Sequence, residues 1–465
     1  MGLIARIKGW INMLFQSKAK EDFNINPVTS TEMERMISKC ASIYKGNPPW
    51  TTPGTVDYVD EHIKTINFAK SVCSETARLA TLAIGVKIDG SVRAEWLQRQ
   101  IDKVYFRLRD WAEYGCAYGT VILKPNGDSV DVFTPDQFIV TAQANGEITG
   151  IVFVNQETEG DKHYTRLEYH RLVENGVYAV TNKCYLGNSV NDMGRVVDID
   201  KTPWAGMMEE ALIANLEHPL YGVLRMPHAN NIDIDSALSL PIFSDAIEEF
   251  KDLDIAYSRN AKEIKDSNRI VLADDSLISA PGQRLASAAN VKLPDYVKMV
   301  FGKGMDDFYR EINPSLNTDI RIAGINAILS QIGYKCGFSN GYFVFNESTG
   351  IQTATGVEAE QQRTIQFIKD VRDKLQSCLD GLIYAMNAFA DLYELSPVGV
   401  YKVTYNFGDI TYSYEEDKAA WWKYAVQGSV PMWMYYMKFE NMSEEEAKSM
   451  VAEAQTVPEL YGEEE

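Results

Sequence analysis

The sequence predicts an α+β fold, and three observations carry that expectation. Ile365, Ile368, Val371, Leu375, Leu379, Leu382, Met386, Phe389 and Tyr393 recur at steps of three and four, the period of one buried helical face. Three Asn-Gly pairs, Asn126-Gly127, Asn145-Gly146 and Asn175-Gly176, separate strand-like runs such as GTVILK, SVDVF, ITGIVFV and GVYAV, the strongest short-range signal for antiparallel hairpins. With 465 residues, 45% of them hydrophobic, the chain has material for well-packed cores in roughly two to four domains.

In chain order, residues 1–25 open on an amphipathic segment with Leu3, Ile4, Ile7, Trp10, Ile11, Leu14 and Phe15 on one helical face and Arg6 and Lys8 beside it. The segment lacks the cleavage site of a secretory signal and the hydroxyl residue that myristoylation of Gly2 favours. A membrane-surface helix fits the pattern, but the expectation is a helix docked on this chain or on a neighbouring subunit, with no stable membrane insertion. Residues 31 to 113 read mainly as helices interrupted by GNPPW, and the hairpins follow between about 119 and 186. After a loop around MPHANNIDIDSALSLP, Phe243, Ile247, Phe250, Leu253, Tyr257, Ala261 and Ile264 mark a second long amphipathic helix ending near Ser267.

Pro281, Gly282, Pro294, Gly302, Gly304 and Pro314 then break residues 268–318 into short pieces, the look of a small inserted domain. A helix with Ile325, Ile328, Leu329 and Ile332 on one face follows, and Gly337 occupies its C′ position. The polar stretch FNESTGIQTATGVEAEQQRT leads into the longest periodic run. There Thr355 and Glu358 fit a capping box, so a helix is expected from 355 to 393, roughly 58 Å long at the standard rise. A strand, YKVTYNF, a Trp/Tyr/Met-rich helical segment from about 416 to 457 and an acidic YGEEE tail complete the chain.

Composition narrows the function. Lys and Arg total 45 against 65 Asp and Glu, and a net charge of −20 argues against a surface that binds nucleic acid broadly, since phosphate neutralisation needs clustered cations. Six scattered cysteines with no CxxC pair point to reduced thiols rather than disulfides or zinc. No run of 18 apolar residues exists for a membrane span.

Catalytic motifs are sparse. Residues 337–341 match G-x-S-x-G around Ser339, but a nucleophile elbow needs a strand before it and a later histidine, whereas a helix reads before it and the last histidine is His228. The Val59 to His62 stretch, VDEH, has no phosphate-binding loop to serve. The triplets Asp198 to Asp200 and Asp233 to Asp235 could hold a divalent cation, but such acid pairs also sit at turns and helix starts. The reading is therefore no enzyme, no catalytic residue, no metal and no cofactor.

The order of elements is more informative: long helix, small insert, helix ending at Gly337, polar loop, capped long helix with TATGVEAEQQRT, terminal helix with SEEEAKSMVAEAQ. In that order the chain resembles the portal proteins of tailed bacteriophages, especially long-tailed phages of Gram-positive hosts, over nearly its whole length and most strongly from about 319 to 457.

The resemblance implies a portal fold with long stem and wing helices, an antiparallel β-rich wing, a small α/β clip insert and a helical C-terminal crown. Residues 26–234 would form the wing, 235–267 and 319–338 the stem helices, and 268–318 the clip. The tunnel loop would span 339–354, the wing helix and strand 355–415, and the crown with its tail 416–465. It further implies a ring, usually of twelve subunits, in the capsid portal vertex of the virion and in host cytoplasm during assembly. Double-stranded DNA would be packaged and ejected through this ring. The implied partners are the terminase large subunit, a head-completion adaptor, and major capsid and scaffolding proteins. Asn346, Glu347, Ser348, Thr349 and Gln352 would face DNA, and Thr355, Gly356 and Glu358 would form the cap and hinge behind the loop. The chain departs from the family at Gly356, where many relatives carry an acidic residue; a glycine there loosens the helix start by about 1 kcal/mol relative to alanine. Two other readings stand beside this one: a virion or scaffold-type assembly protein without a channel, and a serine hydrolase built on Ser339.

Between residues 322 and 354 the only charged side chains are Lys335 and Glu347, although charged residues make up 24% of the chain. Either this stretch is buried between subunits, or it is a wall past which DNA slides without a ring of cations to hold it.

Overall fold

The computed structural model describes residues 15–52, 63–127, 129–173, 176–266, 270–274, 297–300, 309–312, 317–344, 354–408, 414–427, 430–440 and 442–456. Helices and strands both contribute heavily, so the protein is α+β as expected. It divides into two compact units, Met1–Thr81 with Gly85–Tyr405, and Leu82–Ile84 with Asn406–Glu465.

The larger unit begins with helices α1 (residues 15–23), α2 (Thr31–Tyr44), α3 (Phe68–Ala80), α4 (Val92–Val104) and α5 (Leu108–Tyr118). Ser30 and Ser91 start α2 and α4 as side-chain caps, accepting hydrogen bonds from the N–H groups of Met33 and Ala94. The mainly helical reading of 31 to 113 did not include strand β1 (Gly85–Asp89), whose partner, Lys402–Asn406, lies far along the chain. Local pattern carries no trace of such a pairing.

The hairpin region forms β2 (Thr120–Asn126), β3 (Ser129–Phe133), β4 (Phe138–Ala144), β5 (Glu147–Glu159), β6 (Lys162–Val173) and β7 (Val177–Gly187). β8 (Arg195–Val197), β9 (Glu210–Ile213) and β10 (Gly222–Arg225) follow. β4-β5-β6-β7-β8 is an antiparallel meander with β9 also on β7, and β10-β2-β3 is a second sheet. Asn145 and Gly146 both take positive φ, 51° and 77°, as a two-residue type I′ turn requires. A further turn, at Gly160 and Asp161 between paired Glu159 and Lys162, carries no Asn-Gly signal and was not anticipated.

Both faces of the meander are buried where β4 and β5 cross it. Ile151 and Phe153 pack with Met33, Phe133, Tyr221 and Leu240, while Val152 and Val154 pack with Phe15, Ala19, Leu167 and Tyr185. Period-two alternation thus separates two cores, with α1 covering the second. Asp22 fixes α1 in place, pairing with Lys183 at 3.2 Å and accepting from the Tyr185 hydroxyl. The expected docking of the N-terminal segment on its own chain holds for residues 15–23; Leu3 to Leu14 lie outside the described residues.

The helix expected over 235–267 is shorter. α6 runs Ile247–Asp266, preceded by a 3-10 turn at Ser244–Ala246. Leu238, Leu240, Ile242 and Phe243 are buried, and the Ser239 and Ile242 N–H groups donate to Thr120 Oγ1 (2.8 Å) and the Cys116 carbonyl (3.1 Å). Pro241 has no N–H to offer a helix, and the donors beside it are already bound to neighbouring elements, so the chain stays irregular there.

In the insert, β11 (Ile270–Asp274) lies between β12 (Val297–Val300), to which it is parallel, and β13 (Tyr309–Ile312), to which it is antiparallel. The remainder of 268–316 lies outside the described residues. α7 (Thr318–Lys335) packs back along α6, and α8 spans Ala354–Leu392, 39 residues. β14 (Lys402–Asn406) follows. The smaller unit carries α9 (Tyr414–Val426), α10 (Met432–Phe439) and α11 (Glu444–Thr456) around Ala425, Tyr435 and Phe439, and it begins ahead of the boundary expected at 416.

Candidate functional site

The residues expected to face DNA, Asn346, Glu347, Ser348, Thr349 and Gln352, lie outside the described residues. Thr355, Gly356 and Glu358 lie in α8, whose helical backbone begins at Ala354, so Thr355 stands inside the first turn rather than at the N-cap. The capping-box pattern located the start to within two residues; the helix extends past the Thr because helical geometry is already established at Ala354.

The exit of α7 is tied to α8. α7 ends in a Schellman motif: the Phe338 N–H donates to the Gly333 carbonyl at 2.8 Å, the Gly337 N–H to the Tyr334 carbonyl at 3.4 Å, and Gly337 has φ 90°. A Cβ on Gly337 would lie 2.6 Å from the Phe367 ring, so close approach and backbone both demand glycine.

Ser339 is buried, and its N–H and hydroxyl are bonded to Thr364 of α8. The Ser339 N–H donates to Thr364 Oγ1 at 2.8 Å, while Ser339 Oγ lies 3.0 Å from Thr364 Oγ1 and accepts from the Thr364 N–H at 3.3 Å. The G-x-S-x-G pentapeptide follows a helix, and its serine ties that helix's exit to α8. Residues 339–344, the described start of the segment assigned to a loop from sequence, are neither helix nor strand, and Ser339 at their head is tied to α8. Phe338 stacks against Tyr342, Phe343 and Phe367, with ring centroids 4.7 to 5.9 Å apart, and Phe343 meets Phe68 edge-on at 5.3 Å. His228 stacks on Phe367 at 5.5 Å, and burial pushes its imidazole below the ordinary histidine range.

On α7, Leu329 and Ile332 are buried and Ile325 and Ile328 partly so, as expected, while Ile320 is 75% and Tyr334 57% exposed. Ala323, Gly324, Ala327 and Gln331 are exposed between them, giving one uncharged stripe at helical spacing. Lys335 does not join it: its Nζ binds Glu249 of α6 at 2.6 Å and the Asp245 carbonyl at 3.0 Å. Arg321 pairs with Glu263, so ion pairs join α6 and α7 near both ends of α7. Arg363 of α8 donates to the Tyr334 carbonyl at 2.8 Å and lies 4.0 Å above the Tyr334 ring.

A second cluster of titratable groups is closed off inside the larger unit. Glu168 accepts from Lys124 (2.5 Å), Arg166 (3.1 Å), Asn155 (3.3 Å) and His170 Nε2 (2.8 Å), and His170 Nδ1 faces the Tyr178 hydroxyl at 2.9 Å. Burial alone would raise the Glu168 carboxyl, but Lys124, His170 and Arg166 pull it well below the usual range. Burial holds His170 down, so it serves as a neutral donor and acceptor in the chain. Nothing in the sequence marked these residues; the lone sign was an alternation of charged and apolar residues in RLEYH, which reads equally as a half-exposed strand.

The remaining sequence candidates resolve locally. Asp198 accepts from the Asp200 N–H at 3.1 Å and Asp200 from the Gly206 N–H at 3.4 Å, both as turn acceptors. Asp233 lies in a turn, its carbonyl accepting from the Ser236 N–H, and VDEH lies outside the described residues. All six cysteines are free and buried. Among the described residues no group of three or more His, Cys, Asp or Glu is placed to hold a metal ion, and no helix is long and apolar enough to cross a membrane.

Fold and junction together define an α+β protein built around a helix pair, a small mixed-sheet insert and a 39-residue helix. No protein-family model matches the chain, and no curated protein matches it.

Proposed function

We propose that the chain is the subunit of a phage portal: a ring, of twelve copies by family analogy, through which double-stranded DNA enters and leaves the capsid. In this reading α6 and α7 are the stem, β11 to β13 belong to the clip that meets the terminase large subunit and later the head-completion adaptor, and residues 339–354 are the tunnel loop of the channel. α8 is the wing helix behind them, and the smaller unit is the crown. Capsid and scaffolding proteins surround the ring at one virion vertex after assembly in host cytoplasm.

The observation that carries the reading is the uncharged exposed stripe of α7 leading into the pinned junction with α8. The cations of α7 beside it, Arg321 and Lys335, are paired with Glu263 and Glu249, and Arg363 of α8 is engaged by Tyr334, so the stripe offers no unengaged cation to hold a sliding phosphate backbone. Electron microscopy of the purified protein tests the proposal. Rings with a central pore are expected. A discrete monomer at all concentrations and salts, with no rings on co-expression with its capsid proteins, overturns it, and a closed assembly without a pore favours a scaffold-type protein. Within rings, Glu347→Lys is expected to slow packaging most at low salt, where screening is weakest, while leaving assembly unchanged. Full packaging at the normal rate in low salt would remove Glu347 from the channel.

A further inference from the structure

The described residues that follow α7, 337–344, fall into two differently built parts. Its root, residues 337–339, is locked by the Schellman bonds, by the Phe367 ring against Gly337, and by the buried Ser339–Thr364 bonds. The Phe367 and Thr364 contacts cannot open without disturbing α8. Past the root stands Gly341, at φ 81°, with nothing nearer to an added Cβ than Val344 at 4.0 Å. A left-handed glycine in open space lets the residues after it rotate without a clash.

Those residues rest on the Phe338 ring of the root and are tied by a side-chain hydrogen bond to α3. The Tyr342 hydroxyl donates to Glu75 Oε1 at 2.5 Å, and Phe343 packs on Phe68, seven residues earlier and so on the same face of α3. Glu75 is oriented for this by Arg78, whose Nε and Nη2 donate to its two oxygens at 2.8 and 2.7 Å. The bonds from Arg78 and Tyr342 hold the Glu75 carboxyl below its ordinary range, so it is a charged acceptor at neutral pH.

From a fixed root, a glycine pivot and a charged anchor on α3 beside the aromatic packing, we infer that residues 341–344 form a latch: closed with Tyr342 on Glu75, released by rotation at Gly341. Tyr342, Glu75 and Arg78 are positioning residues. They decide whether the chain leaving α7 stays on α3 or comes away from it. This stands independently of the channel reading, since it needs neither a ring nor DNA.

The test is amide hydrogen exchange on the full-length protein. Two pairs of amides report the two halves: Tyr342 and Val344, which donate to the Ser339 and Gly341 carbonyls, and Cys336 and Phe338, which donate to those of Ile332 and Gly333. Tyr342→Phe keeps the ring in its aromatic stack and deletes only the hydroxyl bond. Exchange at 342 and 344 is expected to quicken about ten-fold, the scale of one hydrogen bond to a charged acceptor, with 336, 338 and α8 unchanged. Glu75→Gln retains an acceptor without the charge and should give a smaller rise at the same two amides. Unchanged exchange at 342 and 344 in both variants overturns the latch. So does an equal rise across the root and α8, which would make the bond a general support of the fold.

Discussion

Single residues in this protein often act by satisfying backbone or charge at a distance. Arg93, 1% exposed, donates to the Asn387, Ser396 and Pro397 carbonyls, to Asn387 Oδ1 and to Asp391, tying α4 to the end of α8. Arg372 caps α3 through the Leu79 and Ala80 carbonyls. Glu168 carries the largest consequence, because among the described residues it is the carboxylate bonded to both buried Lys124 and Arg166. Glu168→Gln is expected to cost roughly 3–5 kcal/mol in urea unfolding, since both cations stay buried without a counter-charge. Titration gives a second check. The folded His170 and His228 resist protonation, so the unfolded chain binds protons first. Their stabilisation is complete above the unfolded value of about 6.5 and declines as pH falls below it, with Glu168 adding a further loss below about 4.3. The urea midpoint should therefore drop between pH 7.5 and 5 and more steeply below; a flat profile would contradict the buried neutral imidazoles. Ser339→Ala should cost about 1 kcal/mol through the lost Thr364 bonds, and a covalent serine probe should leave the protein unlabelled. Labelling would reopen the hydrolase reading.

At the scale of elements, the sequence placed the longest helix closely, expecting 355 to 393 where the structure has Ala354–Leu392. Its apolar period repeats many times, and each repeat reports the same buried face: Ile368, Val371, Leu375, Leu379 and Leu382 are all buried. The C′ assignment of Gly337 held for a related reason, since a left-handed C-terminus is a local demand with a local signature. Gly337→Ala is expected to destabilise the protein by about 2–4 kcal/mol, combining left-handed strain with a Cβ driven into Phe367. A change under 0.5 kcal/mol in the denaturation midpoint would mean that the junction relaxes freely. Where elements depend on distant partners the sequence was silent. β1 needs β14, and the irregular run before α6 needs α5 and β2 to take up its N–H groups.

Over the whole molecule, the described part of the helix pair exposes apolar surface: Ile320 on α7 at 75% and Ile264 on α6 at 56% exposure. In the proposed ring a neighbouring copy covers it. Ile320→Asp and Ile264→Asp together should leave the circular dichroism spectrum intact, since neither side chain is buried in the single chain, while shifting light scattering from assembly to monomer. Assembly that persists in the double variant would place the subunit contact elsewhere. By itself the sequence determined the α+β class, the hairpin meander, the long helix and its glycine-capped predecessor, because periodicity and turn chemistry are properties of neighbours along the chain. It also determined the charge depletion that motivates the channel reading. Only the tertiary structure decided that Ser339 is a tie to Thr364, that Lys335 is paired, that Tyr342 is held by Glu75, and that Glu168 gathers its cations in a closed core. Each of those outcomes depends on which side chain of one element meets which of another, and burial makes that encounter decisive by removing the water that would otherwise satisfy them equally well.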